Sequence, residues 1–149
     1  MIKATELRIG NHIRYNPNGG FGDVIELHTI GKHTAYGRNL DNQLINLKID
    51  LDRWIDPIPL TPEILEGCGF EGDIIDNFRL QVGADYTQGC LIFYISPKRN
   101  NIQISYGLGG DKSSYIYLPI PKSLHQLQNL YFALTGQELN INLHVETAN

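Results

Sequence analysis

The stretch YGLGGDKSSY, Tyr106 to Tyr115, sets glycines, a lysine and two serines between two tyrosines. Such a loop can meet an anion through its backbone amides, the Lys112 ammonium and the Ser113 hydroxyl. Two stricter phosphate-binding patterns are absent. A P-loop needs glycine directly before its lysine and a helix after it; here Asp111 stands between Gly110 and Lys112, and SSYIYL reads as a strand. GLGGDK also lacks the third glycine and the following helix of a dinucleotide-binding turn. What remains is a glycine-rich hairpin connection whose tip offers an anion contact.

Aromatic and cationic residues neighbour one another elsewhere. HIRY holds Arg14 and Tyr15; KHTAYGR holds Lys32, His33, Tyr36 and Arg38; SPKRNN holds Lys98 and Arg99 at a turn. Tyrosine supplies a stacking face with a hydroxyl, and arginine a bidentate fork for phosphate. The candidate ligand-binding set is therefore Arg14, Tyr15, Lys32, Tyr36, Arg38, Lys98, Arg99, Tyr106, Lys112, Ser113 and Tyr115. The same groups suit a protein interface.

Signs of catalysis are weaker. Glu63 and Glu66 lie on one short helix and Asp50 and Asp52 on one strand face, as solvated charges do. His12, His28, His33, His125 and His144 are scattered without metal-ligand spacing, and no serine sits in a G-x-S-x-G elbow. No metal or cofactor is implied, and the balance leans away from an enzyme. Cys68 and Cys90 have no C-x-x-C partner and read as buried reduced thiols.

Length and composition frame these residues. The chain has 149 residues, 42% hydrophobic and 19% charged, enough for one domain with a hydrophobic core. Its net charge of −4 disfavours coating of nucleic acid. No apolar run is long enough for a membrane span and no signal sequence opens the chain, so a cytoplasmic location is expected.

The elements that must position these groups are mostly strands. HIRYN, DVIELHTI, GKHTAYGR and NQLINLKI alternate apolar and polar residues, with Ile25, Leu27 and Thr29 expected on one face and Glu26 and His28 on the other. Their short spacing predicts a barrel-like β subdomain over residues 1–56. DPIPLTP breaks the pattern; Thr61 and Pro62 open a short helix ending near Gly67 or Gly69. Strands DNFRLQV, CLIFYIS, NIQISY and SSYIYLPI follow, with CLIFYIS central and the last two forming a hairpin. PKSLHQLQNLYFALTG repeats Leu124, Leu127, Leu130, Tyr131 and Leu134 at helical steps, with Ser123 as N-cap and Gly136 as C-cap. The fold class is α+β: mainly antiparallel sheet, one short central helix and one long C-terminal amphipathic helix, the second half being sheet plus helices over 57–149. The tail ELNINLHVETAN alternates and offers an edge strand or an oligomer contact.

Three segments together, ATELRIGN, PIPLTPEILEGCGF and HQLQNLYFALTGQEL, resemble a family of small uncharacterised proteins of Bacteroides-type bacteria, their phages and mobile elements. The resemblance covers about a third of the chain, carries no catalytic residues and implies a phage or mobile-element setting. Joined to the tyrosines and cations, it points to a non-enzymatic protein that captures a small anionic ligand, such as a nucleotide immune signal, and so blunts host defence. The alternatives are an adaptor or inhibitor acting on a host protein, a nucleic-acid-binding module, and a nucleotide-cleaving enzyme.

Overall fold

A computed structural model describes residues 2, 4–17, 22–31, 34–47, 54–72, 77–83, 89–107 and 114–143. The chain divides into two compact units, Met1–Leu60 with Lys122–Leu139 and Thr61–Pro121 with Asn140–Asn149. Both are built on antiparallel sheet, and the fold is α+β.

In the first unit, a 3-10 turn at Ala4–Glu6 precedes β1 (His12–Tyr15), β2 (Asp23–Ile30), β3 (Ala35–Asn39), β4 (Leu44–Leu47) and β5 (Ile55–Asp56). The sheet order is β4-β3-β2-β1-β5. Alternation drives one face inward: Ile13, Tyr15, Ile25, Leu27, Ala35, Leu47 and Ile55 form a buried cluster. A register shift between Leu27 and Thr29 turns Thr29 outward, so it does not share the buried face expected from strict alternation. No pairing joins β4 to β5 among the described residues, so the sheet is open and the expected barrel is not found. β5 contributes only two residues, too little ribbon to carry a closing seam.

The second unit places α1 (Pro62–Gly67) before β6 (Glu71–Gly72), β7 (Phe78–Val82), β8 (Cys90–Ser96), β9 (Asn101–Gly107) and β10 (Ser114–Pro119), in the order β10-β9-β8-β7-β6. Thr61 caps α1 by accepting from the Ile64 N–H at 3.3 Å. The helix closes on left-handed Gly69, whose N–H donates to the Glu66 carbonyl while Phe70 N–H donates to Leu65. β8 is central as expected, with Ile92 and Phe93 on opposite faces both buried.

The C-terminal helix, α2 (Leu124–Thr135), belongs to the first unit. Its 12 residues make about three turns, an ordinary length rather than the long helix expected. Gly136, in the left-handed conformation, ends it. Ser123 occupies the N-cap but makes no capping bond. The first-turn Leu124 N–H donates instead to the Ile58 carbonyl, and Gln126 Oε1 reaches back to accept from the Lys122 N–H that precedes the cap. Beyond the helix, residues 138–143 form no strand, contrary to the edge strand expected of the tail; Asn142 N–H is held by the Gly67 carbonyl at 2.8 Å.

Candidate functional site

The face of the first sheet opposite its apolar cluster carries the unit's chemistry. His12 on β1 stands opposite Glu26 on β2, which stands opposite Arg38 on β3. Residues directly opposite in an antiparallel pair share a face. Arg14 lies two residues beyond His12, beside Val24 and Asp56, and Tyr36 lies two residues from Arg38. Strand spacing puts the Cα atoms of Arg14 and Arg38 about 12 Å apart, within converging reach of two long side chains.

Arg14 is the least satisfied member. Its Nε is buried and has no hydrogen-bond partner, and Asp56, although opposite in register, makes no ion pair with it. Arg38 donates to both the carbonyl and Oδ1 of Asn42 at 3.0 Å, which holds its fork in place. His28 Nε2 lies 3.6 Å from Glu26 Oε2.

Gln128 of α2 fixes the protonation of His12. Its Oε1 accepts from His12 N–H at 2.8 Å and its Nε2 donates to the Gly10 carbonyl at 2.7 Å, so the amide orientation is set by two backbone groups. The same Nε2 lies 3.2 Å from His12 Nδ1, which must therefore accept; the ring proton sits on Nε2. Burial pulls the His12 pKa below its ordinary value, outweighing the attraction of Glu26 and the Gly10 carbonyl, with His28 pushing in the same direction as burial.

Beside this face a polar clasp ties the first turn of the chain to α2. Arg8 donates from Nε to Asn129 Oδ1 at 2.9 Å and grips Glu138 with both terminal nitrogens, at 2.6 and 2.8 Å. Its guanidinium also lies 4.3 Å from the centre of the Phe132 ring. Asn129 accepts from buried Asn11 and donates to the Glu6 carbonyl. The Arg8 bonds hold the Glu138 carboxyl below the usual carboxylate range. Arg8 to Asn11 and His125 to Leu139 lie in the sequence segments ATELRIGN and HQLQNLYFALTGQEL, and Ile58, whose carbonyl accepts from Leu124 at the start of α2, lies in PIPLTPEILEGCGF. Within this unit their visible work is architectural.

Ser123, His125 and Glu6 line up like a nucleophile, base and acid. Ser123 Oγ lies 3.0 Å from His125 Nδ1, and Glu6 Oε2 lies 3.8 Å from Nε2. At 3.8 Å the second contact is electrostatic, not a hydrogen bond. His125 is only 1% exposed and Ser123 2%, so no substrate reaches the hydroxyl. The trio belongs to the start of the helix instead.

Not all the candidate residues meet. Tyr15 points into the apolar cluster. Lys98 and Arg99 lie in the β8–β9 turn of the second unit, with Arg99 N–H donating to Ser96. Tyr106 lies at the other end of β9, about 20 Å along the strand, and Tyr115, which pairs with Ser105, lies on the opposite face of the sheet. Lys32, Lys112 and Ser113, with the glycine-rich tip, fall outside the described residues. Arg14, Tyr36 and Arg38 do share one face. His12 and Glu26, which complete its central row, escaped attention as site residues although their parity along the strands places them with Arg14 and Arg38.

No three of histidine, cysteine, aspartate and glutamate among the described residues are placed to hold a metal ion. Both cysteines are free and buried, and burial pushes the Cys68 pKa up to about 12. No helix among the described residues is long and apolar enough to cross a membrane. Comparison with protein-family models, with curated proteins and with solved structures finds no match.

Proposed function

We propose that this protein binds a small anionic ligand without transforming it, on the polar face of its first sheet. The observation that carries the reading is the shared face, which presents the cations of Arg14 and Arg38 together with the ring of Tyr36. Two guanidinium groups on one face suit a phosphate, to which each can donate charge-assisted bonds. Tyr36 offers a ring for stacking, and the neutral His12 adds an Nε2–H donor.

In the phage or mobile-element setting that the resemblance implies, such a protein would sequester a nucleotide-type immune signal. The test is calorimetry of the pure protein against a panel of cyclic and ADP-ribose-type nucleotides, followed by chromatography of the mixture. Binding of one class, returned intact and weakened at least tenfold by Arg14→Ala and by Arg38→Ala, is the expected result. Absence of heat with every nucleotide, or undiminished binding by both variants, overturns it. Cleaved product would make the protein an enzyme, and a host polypeptide retained in place of any nucleotide would make it an adaptor.

A further inference from the structure

We infer that the protein forms a two-fold dimer by antiparallel pairing of β10 with β10 of a second copy. β10 is the outermost strand of its sheet, and among the described residues nothing pairs with its outer edge. Such an edge leaves alternate backbone N–H and C=O groups without partners, a template for another strand. Edge strands are ordinarily protected by charge, by a mid-strand proline or by a bulge. β10, Ser114–Pro119, has none of these: it carries no charged residue, its one proline is the last residue, and its pairing with β9 runs without a register shift.

Side chains on both faces of the strand are uncovered. On one face Tyr115 and Tyr117 are 53% and 62% exposed; on the other Ile116 is 57% exposed. Ile116 ends a cross-strand row, Leu80–Phe93–Ile104–Ile116, whose middle members are buried. The apolar row therefore runs out of the core and stops uncovered at the edge.

A second copy fits this edge by charge and by geometry. The chain as a whole carries −4, yet the strand is neutral, so two copies meet there without like charges opposed. A dyad through Ile116 preserves the alternation of faces. It sets Ile116 against Ile116 of the partner subunit on one face and each Tyr115 against a Tyr117 on the other, as apolar and aromatic cross-strand pairs. Every strand pairing in the described sheets is already antiparallel, so the contact continues the sheet in its own pattern. A contact of six residues per copy is smaller than the ~800 Å² per partner of a standard interface, so dissociation in the micromolar range is expected.

Sedimentation velocity of the full chain from about 1 μM to about 1 mM tests the inference. The sedimenting mass should double across the series. Ile116→Lys and Tyr117→Lys, both at exposed positions, should remain monomeric throughout with unchanged circular dichroism. In the wild type alone, amide exchange in residues 114–119 should slow as concentration rises. A wild type that stays monomeric overturns the proposal, as does equal dimerisation of both folded variants or a dimer that leaves exchange in 114–119 unaltered. Should one lysine variant fail to fold, the other variant and the exchange measurement decide alone.

Discussion

A proton added to His12 Nδ1 would turn an acceptor into a donor facing the Gln128 amide nitrogen, which can only donate. His125 is constrained in a related way: it is buried, its Nδ1 is taken up by Ser123, and burial lowers its pKa despite Glu6 nearby. Both histidines thus titrate below their ordinary value of 6.5 in the folded protein. The unfolded chain takes up the protons first as pH falls, so the stability these groups contribute is complete above 6.5 and declines below it. The midpoint of thermal unfolding should accordingly fall between about pH 7 and about pH 5. His12→Asn, which keeps an acceptor near the Nδ1 position and removes the charge change, should make that slope shallower. A slope identical to wild type would assign the effect elsewhere. Glu138 adds a second decline at lower pH, because its depressed pKa means that its pairing with Arg8 is lost as the carboxylate protonates below 4.5. Cys68 behaves as an inert apolar side chain: with its pKa at about 12, it should react with a thiol reagent only as fast as the protein unfolds.

At the scale of elements, two close fits decide how strands and helices sit. A Cβ on Gly37 would collide with Ile25 Cγ2 and lie 2.5 Å from the Glu26 carbonyl oxygen, where β3 passes β2. Backbone cannot yield as a side-chain tip can, so Gly37→Ala should cost about 1–3 kcal/mol in a urea titration. Thr61→Ala removes a cap and should cost about 1 kcal/mol. Losses near zero at both positions would contradict these placements. These elements also show what the sequence makes legible. Thr61–Pro62 and Gly136 announce helix ends because their chemistry is local, the period of two marks β1 and β9 because sheet faces are local too, and an unbroken apolar run marks the central β8. The bulge that turns Thr29 outward and the open edges of the first sheet are set by how separate strands pair. No window of residues encodes them. For the same reason the shared face of Arg14, Tyr36 and Arg38 follows from strand parity, whereas Tyr15, a neighbour of Arg14 in sequence, is carried by that parity into the core.

For the whole molecule, the decisive fact is that the first unit is made from both halves of the chain, with residues 61–121 between them. Arg8 meets Asn129 across 121 residues and Glu138 across 130; Asn11 meets Asn129 across 118. Turns such as β9–β10 close over fewer than ten residues. Bringing the ends of a ~120-residue loop together costs about 2 kcal/mol more in chain entropy than closing such a turn. That cost falls before any bond of the clasp returns stability, so the hairpins should be organised early and the clasp late. Asn129→Ala separates the two stages. It strands the buried Asn11 amide and removes the Arg8 and Glu6 contacts, a loss of about 2 kcal/mol, large enough for a kinetic analysis. If the clasp closes after the transition state, unfolding accelerates by about the full thirtyfold that this loss allows, while the folding rate in water barely moves. Stopped-flow chevrons of wild type and Asn129→Ala read both limbs directly. A folding limb slowed by that whole factor, with unfolding unchanged, would place the joining of the chain's two ends in the nucleus and reverse the order.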